Sequence, residues 1–594
     1  MIRTPLRPLA RILDARSKGE NPDAIERENI RLRHEEMRDR ARTRAEGRLL
    51  VMGVMFFCAF VVIGGRMGVL ASSEPTEPRS SIAGAGIIAE RADIVDRKGR
   101  ILATNFETHS LYAQPQQMIE PRRAAERLAE IFPDLAEERL FKDFTGKRKF
   151  LWIKKKISPE QMQAVHELGE PGLMFGPREM RLYPNGSLAA HVLGGASFGR
   201  EGVHAAEVIG VAGVEKQFDK RLRDPARGHE PLQLSLDLTI QSVTERVLYG
   251  GMRLMNAKGA AAVLMDIRTG EVIALASLPD FDPNNRPRPP VEGSPSDSPL
   301  FNRAVQGVYE LGSTFKIFAV VQAMELGLVN PSTIIDIKGP LRWGKHRIRD
   351  FHDFGKELSV SGVIVKSSNI GTARIAQMIG AERQQEFLRS LGFFEPTPLE
   401  IVEAKGGKPL LPRKWSEIST MTISYGHGLS SSPLHLAAGY ATIANGGTLV
   451  TPTLLKQPRG QLGPRVMSER SAAAARKMLR EVVTEGTASF AEVKGYAVAG
   501  KTGTADKPKE RGGGYYKDKV IATFASFFPA NDPQYVLVVT LDEPVETSGK
   551  KPRRTAGWTA VPVAAEIIRR VAPLLGLRPE IEPSELSGIT LTSN

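Results

Sequence analysis

Cysteine is almost absent from this chain: its 594 residues hold one, Cys58. That excludes an intramolecular disulfide and any metal site built from cysteines. A large exported region without disulfides must be held by its own core, which a chain of this length can bury easily. There is no nucleic-acid motif and no basic stripe interleaved with aromatics, which argues against a nucleic-acid partner. There is no internal repeat either. What the chain does have is a basic excess: 81 Lys and Arg against 67 Asp and Glu, a net charge of +14. That balance suits contact with lipid headgroups or an acidic polymer. Apolar content of 41% and charged content of 25% are ordinary for a folded protein. The length suggests about three to four units of ~150 residues.

Long hydrophobic runs are scarce as well. The one present, residues 49–65 (LLVMGVMFFCAFVVIGG), has no charge. As a helix it would span ~26 Å, close to the ~30 Å hydrocarbon core of a bilayer. Extended to Ala71 it gives an expected transmembrane helix over 49–71. "VLA" at 69–71 could pass for a signal-peptide cleavage site, but the region before the run is far longer than a signal peptide's basic start. A retained anchor is the favoured reading. Arg31, Arg33, Arg38, Arg40, Arg42, Arg44 and Arg48 precede the run, whereas only Arg79 is basic between Ser72 and Glu90. The positive-inside rule then puts the N-terminus in the cytoplasm and the rest outside. The tail 1–48 is expected to be disordered or partly helical. Residues 72–86 have the small, polar, proline-bearing composition of a linker.

Beyond the linker, mixed α and β patterning runs to about residue 232. Residues 258–278 (KGAAAVLMDIRTGEVIALASL) predict a strand, a turn at Thr269–Gly270 and a second strand. "KVIATFASFF" and "YVLVVTLDEP" predict further strands, and "WTAVPVAAEIIRRVAPLL" a helix. Strands joined by short turns point to an α+β fold, an antiparallel sheet flanked by helices. The polar, glycine-rich residues 506–519 read as a mobile loop or a surface hairpin.

Three short motifs carry candidate chemistry. In "ELGSTFKIF", Ser313 and Lys316 sit at i and i+3 of an expected helix that ends near Gly327, so they share a face. Ser313 at the helix start lies in the positive end of the dipole. Lys316 could take its proton only if burial or a second cation kept the amine neutral. The bland reading is a routine serine N-cap, and Ser-x-x-Lys recurs about twice by chance in such a chain. In "KSSNIGTARIA", Ser367 could shuttle a proton and Asn369 orient a substrate amide, or the segment is another N-cap. In "VAGKTGTA", Lys501, Thr502 and Thr504 could hold a carboxylate. Glycines at 500 and 503 allow close backbone approach. An exposed strand here could accept an extended peptide. The N–H near Thr504 could join that of Ser313 as an oxyanion hole. The bland reading is a plain turn.

Ser-x-x-Lys, Ser-x-Asn and Lys-Thr-Gly in this order resemble the signature set of penicillin-binding proteins and serine β-lactamases. The resemblance covers nearly the whole chain and is closest to a class B penicillin-binding protein of the division-specific, FtsI type. "RADIVDRKGRILAT" resembles the entry motif of that family's non-catalytic pedestal, with Ala92 where glycine is usual. "RLYPNGSLAAHVLG" and "GVAGVEKQFDKRL" resemble its next two motifs. "DIRTGEVIALASLPDFDPNN", "NRAVQGVYELGSTFK", "YGHGLSSSPLHLAAGYATIANGG" and "LDEP" resemble the transpeptidase domain, with Leu311 replacing a usual proline. No glycosyltransferase domain precedes the pedestal.

The resemblance implies a cytoplasmic tail (1–48), a transmembrane helix (49–71), a pedestal or dimerisation-type domain (72–232), a transpeptidase domain (233–577) and a C-terminal tail (578–594). It implies a D,D-transpeptidase that cross-links peptidoglycan stem peptides at D-Ala-D-Ala and is trapped by β-lactams. Ser313 is then the nucleophile and Lys316 its base. Ser367 and Asn369 assist proton transfer and orientation, and Lys501, Thr502, Gly503 and Thr504 bind substrate. Lys501 is also the candidate cation for lowering the pKa of Lys316. No metal or cofactor is implied. The implied partners are an FtsW-type lipid II glycosyltransferase and other divisome proteins, at the inner membrane with the catalytic region periplasmic. The Glu-x-x-x-Asn deacylation signature of class A β-lactamases is absent after Asn369. A single anchor without a cytoplasmic effector domain disfavours a β-lactam sensor. An elongation-type transpeptidase shares all three motifs and is the alternative. A non-catalytic divisome scaffold is the alternative of a different class.

Overall fold

The computed structural model describes residues 7–72, 91–201, 206–227, 229–457, 462–509 and 513–580. Beyond Ser72, the expected linker lies outside the described residues. So do Arg79, residues 510–512 and the C-terminal tail from 581. The chain divides into two compact units. One takes in residues 1–77, 112–153 and 164–174, the other residues 78–111, 154–163 and 175–594.

The first unit begins with helices α1 (Arg7–Ser17) and α2 (Pro22–Ser72). The tail that composition marked as disordered or partly helical is therefore helical over most of its described length. Asn21 Oδ1 accepts the Asp23 N–H at the start of α2, and Pro22 sits where no N–H is needed. Arg31–Glu35, Arg40–Glu36 and Arg42–Glu46 pair one turn apart at 3.3, 3.5 and 2.7 Å. The apolar run continues the same helix with its large side chains exposed, and α2 is long and apolar enough to cross a membrane. Two amphipathic helices, α3 (Pro121–Ile131) and α4 (Glu137–Phe144), pack together and bury Leu128, Leu140 and Phe144.

In the second unit β1 (Ile94–Val95) pairs antiparallel with β2 (Ile101–Ala113) and parallel with β3 (Leu232–Gln233). Three sequence motifs, at residues 91–104, 181–194 and 210–222, converge beside this sheet. Arg91 donates to Glu215 at 2.7 Å and to Asp219 at 2.8 Å, and Arg181 donates to Glu215 at 2.7 Å. Arg91 and Glu215 are fully buried, so each charge persists only because the others are there.

Helix α5 (Leu238–Leu254) starts on Asp237, whose carboxylate accepts the N–H groups of Thr239 and Ile240. Strands β4 (Gly259–Asp266) and β5 (Val272–Leu278) follow. Gly270 makes the turn between them at φ +74°, where a Cβ would lie 2.1 Å from the Thr451 carbonyl oxygen. Next come α6 (Lys316–Glu325), a small hairpin of β6 (Leu341–Trp343) and β7 (His346–Ile348), and helices α7 (Asn369–Ile379) and α8 (Pro433–Ala444). The chain returns through β8 (Ala499–Pro508), β9 (Tyr515–Phe528), β10 (Tyr535–Asp542) and α9 (Ala560–Leu574). The sheet order is β8-β9-β10-β4-β5, antiparallel throughout. Every residue of β4, β5 and β10 is buried, with α5, α8 and α9 packed on the sheet. The fold is α+β, with an antiparallel sheet flanked by helices.

The segment 506–519 is a hairpin rather than a loop in its described part. Asp506 pairs with Val520 and Pro508 with Tyr515. Lys507 bridges Asp542 at 2.7 Å and Glu543 at 2.8 Å, and Lys519 pairs with Glu543 at 3.0 Å, so these two lysines of the segment are neutralised across the sheet.

Candidate active site

Ser313 lies in a 3₁₀ turn, Gly312–Phe315, that runs directly into α6. Gly312 has φ +57°, and a Cβ there would sit 2.8 Å from the Thr504 carbonyl oxygen. A Cβ on Gly503 would lie 2.2 Å from the Leu311 carbonyl oxygen. The two glycines therefore let the serine turn and strand β8 approach backbone to backbone. At Gly503 the approaching group is the chain's own turn. Strand β8 is the edge of the sheet, so it is on this side that an extended peptide could be received. The turn is held from below by Tyr440, whose hydroxyl donates to the Thr314 carbonyl at 2.8 Å, and by the packed rings of Phe315, Phe318 and Phe393.

Lys316 is wholly buried on α6. Its Nζ donates to the Ser367 carbonyl oxygen at 2.5 Å and to Ser367 Oγ at 3.1 Å. Lys501, also wholly buried, donates to the same Oγ at 3.0 Å and to the Thr502 carbonyl at 3.2 Å. Two lysines 185 positions apart in sequence thus share one serine hydroxyl. Burial pushes Lys316 well below the usual lysine range, and the charge of Lys501 pushes it the same way. Burial brings Lys501 down to about 7. Ser367 itself sits at φ +62°, a left-handed conformation that costs a non-glycine residue about 1–3 kcal/mol and clusters at functional sites.

The rest of the Ser-x-Asn segment is positioned by a residue that the motifs did not reveal, Asp350. Its Oδ1 accepts the N–H groups of Asn369 and Ile370 at 2.6 and 3.0 Å, and its Oδ2 accepts Ser368 Oγ at 2.7 Å. A carboxylate on the first N–H groups of α7 is favourable for charge and hydrogen bonding alike. Asp350 also pulls the Lys316 pKa upward, against the two larger effects. Asn369 Nδ2 donates to the Arg349 carbonyl at 2.9 Å, and its Oδ1 accepts no hydrogen bond among the described residues. Thr502 Oγ1 meets Thr487 Oγ1 at 2.7 Å, and Thr504 Oγ1 accepts the Ala556 N–H at 3.0 Å. The half-buried Ser313 makes no side-chain hydrogen bond among the described residues. All eight singled-out residues thus fall on three segments drawn to one place: the serine turn and α6, the start of α7, and β8.

The penicillin binding protein transpeptidase domain family matches residues 260–569. The chain belongs to this family. The penicillin-binding protein dimerisation domain family matches residues 86–230, ahead of it. A Caulobacter vibrioides protein named probable peptidoglycan D,D-transpeptidase FtsI is 33% identical over 567 residues, 93% of each chain. The Escherichia coli K12 protein named peptidoglycan D,D-transpeptidase FtsI is 29% identical, over 83% of this chain and 85% of its own. Among solved structures, penicillin binding protein 3 from Mycobacterium tuberculosis, complexed with aztreonam, is similar at a TM-score of 0.63 and 27% identity. That match covers 83% of this chain and 98% of the other.

Proposed function

We propose that the protein is a serine D,D-transpeptidase that cross-links the stem peptides of septal peptidoglycan and is a target of β-lactams. The observation that carries the reading is the meeting of two buried lysines on Ser367 Oγ, with Lys316 one turn from Ser313. Neutral Lys316 takes the Ser313 proton as Oγ attacks the carbonyl of the penultimate D-Ala. The backbone N–H groups of Ser313 and Thr504 receive the oxyanion. The intermediate collapses, the peptide bond breaks, and the terminal D-Ala leaves with a proton passed from Lys316 through Ser367. The amine of a neighbouring strand then attacks the Ser313 ester. Its proton passes through Ser367 to Lys316, and Lys316 protonates Oγ as the ester C–O bond breaks and the new amide forms. Lys501, Thr502 and Thr504 hold the terminal carboxylate beside Gly503, and Asn369 Oδ1 accepts a substrate N–H.

The apolar half of α2 is then a single inner-membrane anchor, with the N-terminus cytoplasmic and the catalytic region periplasmic. An FtsW-type lipid II glycosyltransferase and other divisome proteins are its membrane partners. The division into tail (1–48), anchor (49–71), pedestal (72–232), transpeptidase (233–577) and C-terminal tail (578–594) belongs to the same reading. The FtsI-named relatives, similar along most of the chain, support the septal over the elongation role. The test is the full-length protein supplied with uncross-linked glycan strands that carry pentapeptide stems. Free D-Ala released in step with new cross-links, and neither with Ser313→Ala, is the expected result. D-Ala released without cross-links would make the protein a hydrolase, and no release would leave it a scaffold.

A further inference from the structure

Between strands Ile334–Asp336 and Glu357–Ser359 the chain makes an excursion, residues 338–355, closed at its base by the Ile337 N–H on the Lys356 carbonyl at 2.8 Å. It carries the β6–β7 hairpin. Its charge is lopsided: Lys338, Arg342, Lys345, Arg347 and Arg349 against Asp350 and Asp353. Asp350 is partly buried and turned to the protein, whereas Asp353 is exposed and leaves the surface of the excursion with five basic groups against one acid. Asp350 holds the start of α7, and Asp353 accepts the Gly355 N–H at 2.9 Å. All five basic side chains are exposed, and none makes an ion pair or a side-chain hydrogen bond among the described residues.

The hairpin register sharpens the point. Arg342 stands directly opposite Arg347, so two guanidinium groups share one face of a two-stranded ribbon. Like charges in that position destabilise a strand pair, and a short isolated ribbon has little stability to spare. The other face is the one that packs: Leu341 lies opposite Ile348, which is buried. Phe351, just past the hairpin, is 83% exposed. The excursion ends on the active site, because the Arg349 carbonyl accepts Asn369 Nδ2 and Asp350 caps the same helix.

We propose that this basic hairpin is an accessory docking site for the carboxylates of peptidoglycan stem peptides, holding a substrate strand beside the cleft. The inference rests on the transpeptidase reading for the identity of its ligand. A polyanionic strand suits it because paired guanidinium groups bind carboxylates with fixed geometry, and two facing arginines call for more than one carboxylate. Tethering to the segment that holds Ser367 and Asn369 favours the substrate strand over a lipid surface.

The test measures binding of the full-length protein to three probes. They are glycan strands with pentapeptide stems, the same strands with stems removed by an amidase, and phosphatidylglycerol vesicles. Stem-bearing strands should bind the wild type, lose affinity with rising salt, and bind Arg342→Glu/Arg347→Glu about tenfold more weakly. Arg342→Gln/Arg347→Gln should show a smaller loss. Arg342→Glu alone removes the facing like charges, so its melting temperature should not fall while its strand binding does. Equal strand binding by wild type and double variant would overturn the proposal. So would equal binding of stripped strands, or charge-dependent binding to vesicles alone. Labelling of the same samples by a fluorescent penicillin keeps the two readings apart. Loss of wild-type labelling would count against the transpeptidase reading, whereas the strand measurement decides the docking site.

Discussion

Replacing Lys501 with methionine should move the acid limb of Ser313 acylation upward by about two pH units. Lys316 and Lys501 both donate to Ser367 Oγ, at 3.1 and 3.0 Å, which places their nitrogens no more than about 6 Å apart. At an effective dielectric of ~20, two unit charges at ~6 Å repel by about 3 kcal/mol. That corresponds to about two pK units at ~1.4 kcal/mol each. Lys501 is held at about 7, so it is charged over the acid range in which Lys316 takes up its proton. With Lys501 gone, burial still depresses Lys316, but the repulsion does not. The amine then keeps its proton to a higher pH, and a protonated amine cannot serve as the base. The assay is the second-order rate constant for acylation by a β-lactam, followed from about pH 5 to 10. The plateau will also fall, because the carboxylate loses a partner, and in the wild type Lys501 itself titrates near 7, so the shift is read on the acid limb below that pH. An acid limb in the same place in both proteins would refute the coupling.

Asp350→Asn should act with the opposite sign: Lys316 loses an attractive charge, so the acid limb moves down, and α7 loses a charged cap at a cost of about 1 kcal/mol, read by urea unfolding. Glu215→Ala should leave Arg181 buried without its carboxylate and Arg91 with Asp219 alone, and cost about 3–5 kcal/mol; a loss under ~1 kcal/mol in urea unfolding would contradict that account. Stability should also depend on pH through Lys501. Its pKa is about 7 folded and ~10.4 unfolded, so between those values the unfolded chain holds the extra proton and stability rises with pH. Lys501→Met should flatten that slope, as followed by melting temperature from about pH 7 to 10.

Ser313 and Lys316 were legible because a nucleophile and its base can be one helical turn apart, and one turn is a fixed sequence spacing. Lys501 was legible only through its motif, since nothing local shows that it reaches Ser367. Asp350 was not legible: it caps α7 from 19 positions upstream of Asn369, and a cap supplied through space leaves no periodic signal. The strands β4 and β5 could be read from apolar runs around a glycine turn. Their place in the sheet could not, because β4 pairs with β10, some 270 residues later. The tail was legible only in part. Its composition left disorder and partial helix both open, while the i,i+4 placement of its charges supports a helix. The Arg91–Glu215–Arg181 network lay in motifs visible in the sequence, but its convergence on one carboxylate is a property of the fold.

The most direct test of the central claim is peptide-resolved mass spectrometry of the full-length protein after exposure to penicillin. The account predicts one acyl group per chain, on the peptide that holds Ser313, and none in Ser313→Ala. An adduct on another residue, or an unmodified wild-type protein, would contradict it.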